Sequence, residues 1–405
     1  MTDDQLQQAP ARSASKVPQV TIFFWVIKVL CTTVGETASD FLSERLGLGL
    51  TGTSAAAGVL LAIVLFLQFR ARKYVPGIYW LTVVLISVFG TLITDILTDS
   101  LHFPLEWSTI LFSIALTATF AIWYSRERTL SIHSILTKRR EAFYWLAILF
   151  TFALGTATGD LMAEKLGLGY LLTGLIVVGI IAVAGIAWRL GLDSVLAFWI
   201  AYILTRPLGA SIGDYLSQSR DNGGLGLGAT VTSAVFLSAI LAVVVYLAVT
   251  RRDALDVPAA QEPDEKKAGV GAVWQVVVVL AVLVVASGVG YTLRRAQLQK
   301  QAQASVTADR PLGDLSSFRK ITQDMQRLVQ SGDLAGARAR ADDLETAWDN
   351  AQAVMQPMNP EKWTSMDDAI DAVLKKTRAS SPSAADSGAA LQSLLTIIDG
   401  LDKPR

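Results

Sequence analysis

One cysteine and two histidines serve the whole chain, and that scarcity narrows its chemistry. A lone thiol cannot form an internal disulfide, and Cys31, set inside an apolar run, reads as a small buried hydrophobe. His102 and His133 fall in the breaks between apolar runs, so no thiol or imidazole cluster is available for soft copper or zinc. Thirty-five Lys and Arg balance 35 Asp and Glu, and net charge therefore recommends neither a nucleic-acid partner nor an acidic substrate. Charged residues are 17% of the chain against 52% hydrophobic, with a mean hydropathy of +0.43. That is too apolar, and too unevenly distributed, for a soluble enzyme of this length. No phosphate-cradling glycine loop, catalytic-triad spacing or zinc-protease helix motif is present, which argues against a primary pump or an intramembrane enzyme; no enzymatic activity and no cofactor are expected. The opening MTDDQLQQAPARSASK is polar, carries acids and leads into a span without a small-residue cleavage site, so no cleaved signal peptide is read there.

What the chain does have is a repeated skeleton. Trp25, Gly35 and Asp40 are matched at unchanged spacing by Trp80, Gly90 and Asp95, by Trp145, Gly155 and Asp160, and by Trp199, Gly209 and Asp214. Four matches in register are an internal repeat. Alternate units are the more alike: TVGETASDFLSERLGLG (33–49) and LGTATGDLMAEKLGLG (154–169) share the Asp, the Glu four later, the basic residue and the LGLG.

Between Thr21 and Thr250, eight apolar runs approach the ~20 residues that cross a bilayer, near 22–43, 54–69, 77–98, 107–124, 142–163, 170–188, 195–217 and 229–249. Each repeat is thus two helices, and an even number of spans per unit makes the four repeats parallel. Positive charge collects between repeats, at Arg70, Arg72 and Lys73, at Arg126, Arg128, Lys138, Arg139 and Arg140, and at Arg189. The positive-inside rule then puts the N-terminus in the cytoplasm and the Asp ends of the first helices outside. The aromatic pairs Phe24-Trp25, Tyr79-Trp80, Tyr144-Trp145 and Phe198-Trp199, at the starts of the first helices, are expected to form an interfacial belt.

The expected architecture is an all-α membrane protein: a cytoplasmic tail (1–20), a four-repeat transmembrane domain (21–250), a cytoplasmic linker (251–269), a ninth span (270–293) and a periplasmic helical bundle (294–405). Parity delivers the C-terminus outside. In the bundle, Asp333, Asn359-Pro360 and Ser381-Pro382 read as helix starts, dividing four segments of bundle length with Trp348 and Trp363 in the core.

Intramembrane acids mark functional sites by default. Besides the four aspartates, a second polar group follows each by four residues: Glu44, Asp99, Glu164 and Gln218. In an unbroken α-helix that spacing stacks the pair about one turn apart, giving each repeat an acidic ladder. Gly35, Gly90, Gly155 and Gly209 each precede a small residue four later, a pattern that lets helix backbones approach closely in lipid. The first repeat also carries Lys28, Thr32, Glu36, Asp40 and Glu44 at spacing four, a polar stripe through the helix. The fourth has Arg206 before Pro207, and a guanidinium at that depth is expected to pair with Glu36.

Four tandem two-helix units, each with a Trp in its first helix, resemble a family of bacterial membrane proteins defined by such a repeat and described as of unknown function. The resemblance covers roughly Val20 to Thr250 and implies no activity. From the residues, carboxylates with hydroxyls suit a hard cation or protons, so the expected role is an inner-membrane transporter with its substrate at Asp40, Asp95, Asp160, Asp214, Glu36, Glu44, Asp99, Glu164, Arg206 and Lys28. The rivals are a transporter or channel for a small anionic or polar solute held by Arg206 and Lys28, and a scaffold or sensor that anchors the bundle to a periplasmic protein partner. The lipid bilayer is the partner common to all three.

Overall fold

The computed structural model describes residues 15–45, 49–101, 103–218, 224–253, 270–305, 311–379 and 381–402. Among them all regular structure is helical, and nine helices are long and apolar enough to cross a membrane. The repeats supply eight: α1 (Ile22–Asp40) and α2 (Gly49–Arg70), α3 (Pro76–Asp95) and α4 (Leu105–Glu127), α5 (Lys138–Asp160) and α6 (Gly169–Arg189), α7 (Ser194–Ser217) and α8 (Gly228–Thr250). The protein is a multi-pass membrane protein of parallel two-helix repeats.

The odd-numbered helices form an inner ring in which α1 packs on α3, α3 on α5, α5 on α7 and α7 on α1. Each even-numbered helix lies outside, against the first helix of the following repeat: α2 on α3, α4 on α5, α6 on α7 and α8 on α1. The outer helices leave Ile63, Phe66, Ile114, Val183, Leu241 and Val249 exposed, as helices facing hydrocarbon require.

The repeat glycines make the ring possible. A Cβ on Gly35 would collide with Ser87, on Gly90 it would come within 3.0 Å of Phe152 Cβ, on Gly155 it would collide with Arg206, and on Gly209 with Thr32. Each contacted residue stands three before the next repeat's own glycine, so one contact is repeated around a pseudo-fourfold axis. The aromatic pairs obey the same rule. Phe24 meets Trp80 at 5.6 Å, Tyr79 meets Trp145 at 5.3 Å, Tyr144 meets Trp199 at 6.4 Å and Phe198 meets Trp25 at 5.6 Å between ring centroids. Trp80, Trp145 and Trp199 are buried and Trp25 half-buried, so these tryptophans are not the interfacial belt that their position suggested. They close the N-terminal end of the bundle as a packed aromatic layer.

Three inner helices change character after the repeat aspartate: residues 41–45, 96–100 and 161–165 each form a five-residue π-helical turn. In these three repeats the wider turn replaces the α-helical turn on which the expected ladder depended. The LGLG motif joins inner to outer helix. Gly167 and Gly169, and their fourth-repeat counterparts Gly226 and Gly228, have φ of +57° to +77°, a conformation that glycine adopts without Cβ strain.

The ninth helix, α9 (Val270–Ser305), continues past the span expected at 270–293. Gln275 bonds the backbone of Gly191 and Asp193 where α6 meets α7, while Arg294 bonds the carbonyls of Leu166 and Gly167 at the opposite end of the ring. Nineteen residues of helix separate them, ~28 Å at 1.5 Å per residue, which is bilayer thickness. Beyond it α10 (Ser316–Gln330), α11 (Leu334–Met355), α12 (Pro360–Thr377) and α13 (Ala384–Leu401) pack each on the next and α13 back on α10, a four-helix bundle. Asp333 and Asn359 cap their helices as expected, but the last is capped by Ser383 rather than Ser381. Trp348 and Trp363 stack at 3.6 Å in the bundle core.

Gly35→Ala and Gly209→Ala should each destabilise the protein by ~1–3 kcal/mol through overpacking, outweighing the helix-propensity gain of ~1 kcal/mol. Gly179→Ala, whose Cβ would meet nothing within 4 Å, is the control and should be neutral or stabilising. Thermal unfolding in detergent, followed by size-exclusion recovery, measures the difference, and equal midpoints would refute the ring contact.

Candidate functional site

Counted from the repeat glycine, inner-helix positions four apart form successive layers down the axis. The position after each glycine holds Glu36, Thr91, Thr156 and Ala210, and three of these converge on one side chain. Arg206 Nη2 donates to Glu36 Oε2 at 2.5 Å, to Thr91 Oγ1 and to Thr156 Oγ1 at 2.8 Å, while Nη1 donates to the Thr32 carbonyl at 3.3 Å. The hydroxyls of Thr91 and Thr156 donate their own protons to the carbonyls of Ser87 and Phe152, one turn back, which leaves their lone pairs free for the guanidinium. Arg206 is fully buried and Glu36 nearly so. Each repeat therefore contributes to one ion pair: the fourth its cation, the first its anion, the second and third its hydroxyls. The Thr32 hydroxyl also reaches the Thr205 carbonyl beside Pro207, at 3.1 Å, fastening α1 to α7 at this depth.

Two layers toward the N-terminal end, past the layer of Thr32, Ser87, Phe152 and Arg206, lie Lys28, Val83, Ile148 and Tyr202, all buried. The Lys28 amine has no hydrogen-bond partner among the described residues. It sits instead against the rings of Phe152, 3.8 Å from the centroid, and Tyr202, at 4.3 Å, a cation–π arrangement. Beyond it the Tyr79 and Tyr144 hydroxyls touch within the aromatic layer. The end is sealed by the segment before α1, where Lys16 donates to Glu141 at 2.7 Å and Gln68 to the same carboxylate at 3.2 Å. Gln19 N bonds the Asp253 carbonyl, and the Tyr74 hydroxyl donates to the Asp253 carboxylate at 2.5 Å. Burial, reinforced by that carboxylate, holds the Tyr74 phenol well above its usual pKa. So Ser15 to Pro18 and Asp253, in segments expected to be tail and linker, are buried in the packed unit.

In the opposite direction burial falls off, and this partly exposed end of the ring is called its mouth. Asp40, Asp95, Asp160 and Asp214 form the next layer, and all four are partly exposed, unlike the layers beneath them. Asp214 lies within electrostatic reach of Glu36, Asp160 and Arg206. Glu164 follows at the third repeat's π turn, half-buried, and Gln218 at the end of α7; the side chains of Glu44 and Asp99, like His102, lie outside the described residues. The aspartates line a mouth rather than a single coordination cage: among the described residues no three His, Cys, Asp or Glu side chains are grouped to hold a metal ion. The sequence reading missed Thr91 and Thr156, although both stand directly after a repeat glycine, in the same column as Glu36.

Arg206→Met alone should destabilise the fold by ~3–5 kcal/mol, because it strands Glu36 in a buried site, and Glu36→Leu alone should do the same to Arg206. The double variant should lose much less than the sum of the two. Additive losses in a thermal-stability cycle would show that the pair is not coupled.

A family model described as a repeat of unknown function matches the chain four times, at residues 23–74, 78–129, 143–190 and 197–253. Each match takes in one inner and one outer helix, and the last ends at the buried Asp253. No curated protein and no solved structure matches the chain. With the four matches covering slightly more than half of its residues, each on one unit of the ring, the chain belongs to the family defined by the repeat of unknown function DUF347.

Proposed function

We propose that the four-repeat bundle is a proton-coupled transporter of a small cation, not an enzyme, in a bacterial inner membrane. The observation that carries this reading is the buried Arg206–Glu36 pair, to which every repeat contributes, at the foot of an aspartate-lined mouth. Four carboxylates in a low-dielectric setting concentrate cations at the mouth. A cation or proton reaching Glu36 competes with Arg206 for the same carboxylate. Leaving Arg206 without an anion is too costly at that depth. Asp214, eight residues along the same helix and within reach of both partners, is the carboxylate to which it turns. Exchange of Arg206 between Glu36 and Asp214 is thus a two-state element that one arriving charge can bias.

A second reading has its own support. Lys28 and Arg206 are both buried in the axis; among the described residues Glu36 pairs with Arg206 alone and the Lys28 amine has no hydrogen-bond partner, so an anionic or polar solute would find donors there. The two readings separate on Lys28→Met, which should abolish anion movement and spare cation movement.

In reconstituted vesicles screened for solute uptake, Asp40→Asn and Asp160→Asn should abolish transport while protein levels stay normal, since Asn keeps the shape and removes the charge. Full transport by both variants would sink the carboxylate mechanism and leave a scaffold, with the bundle as the docking site for a periplasmic protein. Orientation is tested separately. Reporter fusions after Arg140 and at Arg405 should read cytoplasmic and periplasmic respectively, and a cytoplasmic C-terminus would overturn the nine-span topology.

A further inference from the structure

Helix α11 has two buried faces. One is the bundle core, with Ala337, Ala341, Leu344 and Trp348. The other, roughly half a turn round the helix, carries Thr346 and Ala353, which are buried although neither belongs to that core. The membrane unit covers them. Thr346 Oγ1 shares its proton between the Asp342 carbonyl at 2.7 Å and Gln218 Oε1 at 3.2 Å, and a Cβ on Gly167 would stand 2.9 Å from that of Ala353. One turn on, Gln356 accepts from Lys165. The face from Thr346 to Gln356 thus sits over the third and fourth repeats, beside the acids of the mouth.

From these contacts we infer that α11 is the lid of the acid mouth, docking on Gly167, Lys165 and Gln218. The inference rests on the proposed function only for what the lid admits, a cation; the docking stands on geometry. The contact has the character of a reversible one. Among the described residues it includes two bonds between uncharged or singly charged partners and one Ala–Gly approach, and such small polar interfaces separate readily. The bundle has its own core and its own caps, so it can lift as a body without unfolding. Arg294 holds the Leu166 and Gly167 carbonyls from α9, which keeps the seat in place whether or not the lid is on it.

The test uses the full chain in detergent, with Cys31→Ser as background so that membrane orientation and native thiol play no part. Glu164→Cys reports access to the mouth through its rate of modification by a quaternary-ammonium methanethiosulfonate, read by mass spectrometry. Ala353→Arg, which forces α11 off its seat, should speed modification by about tenfold or more, as expected if exposure follows the open fraction. Thr346→Arg, at the separate Gln218 contact, should do the same, and Ala353→Ser should not. Docking is checked independently with the pair Gln218→Cys and Thr346→Cys, which should crosslink within one chain under mild oxidant. Unchanged modification rates in both Arg variants, or no crosslink, would overturn the lid. None of these readouts needs transport, so loss of the lid and loss of the transport reading are told apart: accelerated labelling with unaffected Asp→Asn uptake keeps the lid and removes the carboxylate mechanism.

Discussion

A guanidinium held at the centre of a membrane bundle has to be answered by an anion and by acceptors for its remaining protons. The two terminal nitrogens of Arg206 meet that requirement only because four helices approach them together, while its Nε has no partner among the described residues. Glu36 neutralises the guanidinium, Thr91 and Thr156 accept from it, and the Thr32 carbonyl takes a further bond. The approach depends in turn on glycine. Any side chain at Gly155 would occupy the space of the arginine's own methylenes, and any at Gly209 would push Thr32, and α1 with it, out of reach. The ion pair and the small-residue ring are therefore one device seen at two levels: the ring brings the partners close, and the pair fixes their rotation about the axis. Buried ion pairs contribute little net stability against apolar packing. What this one confers is a single register among four similar units that could otherwise pack in more than one order.

The frame is symmetric and the axis is not. The glycine contacts and the pairing of each aromatic with the following tryptophan recur in all four units. The residues that face inward have diverged: three before the glycine they are Thr32, Ser87, Phe152 and Arg206, and seven before it Lys28, Val83, Ile148 and Tyr202. Duplication gives four equal positions at each depth, and a site with one cation and one anion uses them unequally. Among these axial layers the aspartates alone are kept in all four copies, at the depth where burial gives way to partial exposure. Charges of one sign can be repeated fourfold only where water reaches them, which is why the invariant layer is the mouth and the specialised layers lie beneath it.

The architecture was legible because spans and repeats are written in long stretches of composition and in fixed spacing. The pairing of Arg206 with Glu36 was legible for a simpler reason: with so few charges at that depth, one arginine had few acids to find. What escaped the sequence depends on which face each helix turns inward. The tryptophans have the position of a belt, and only the ring places them inside it. Thr91 and Thr156 look like ordinary membrane threonines until the column they share with Glu36 is folded onto Arg206. The π turns after Asp40, Asp95 and Asp160 carry no residue signature of their own, so the α-helical ladder of acids was the natural expectation and the wrong local geometry. Ser15 to Gln19 and Asp253 read as polar tail and linker because their partners, Glu141, Gln68 and Tyr74, are far away in the chain.

Topology ties the tail to the mouth. Two-helix repeats begin and end on the same side, so eight spans return the chain to the side where it began, and the ninth carries it to the side of the repeat aspartates. The contacts agree with that count, since α9 touches Asp193 and Gly191 near its start and Leu166 and Gly167 near its end. A bundle delivered there is tethered at the rim of the mouth, where its effective concentration is high and even a weak polar contact suffices to hold it. A single additional helix thereby converts a closed ring into one whose open end faces a folded domain of the same chain. The weakness of each contact and the shortness of the tether act together: the first lets the bundle leave, and the second brings it back.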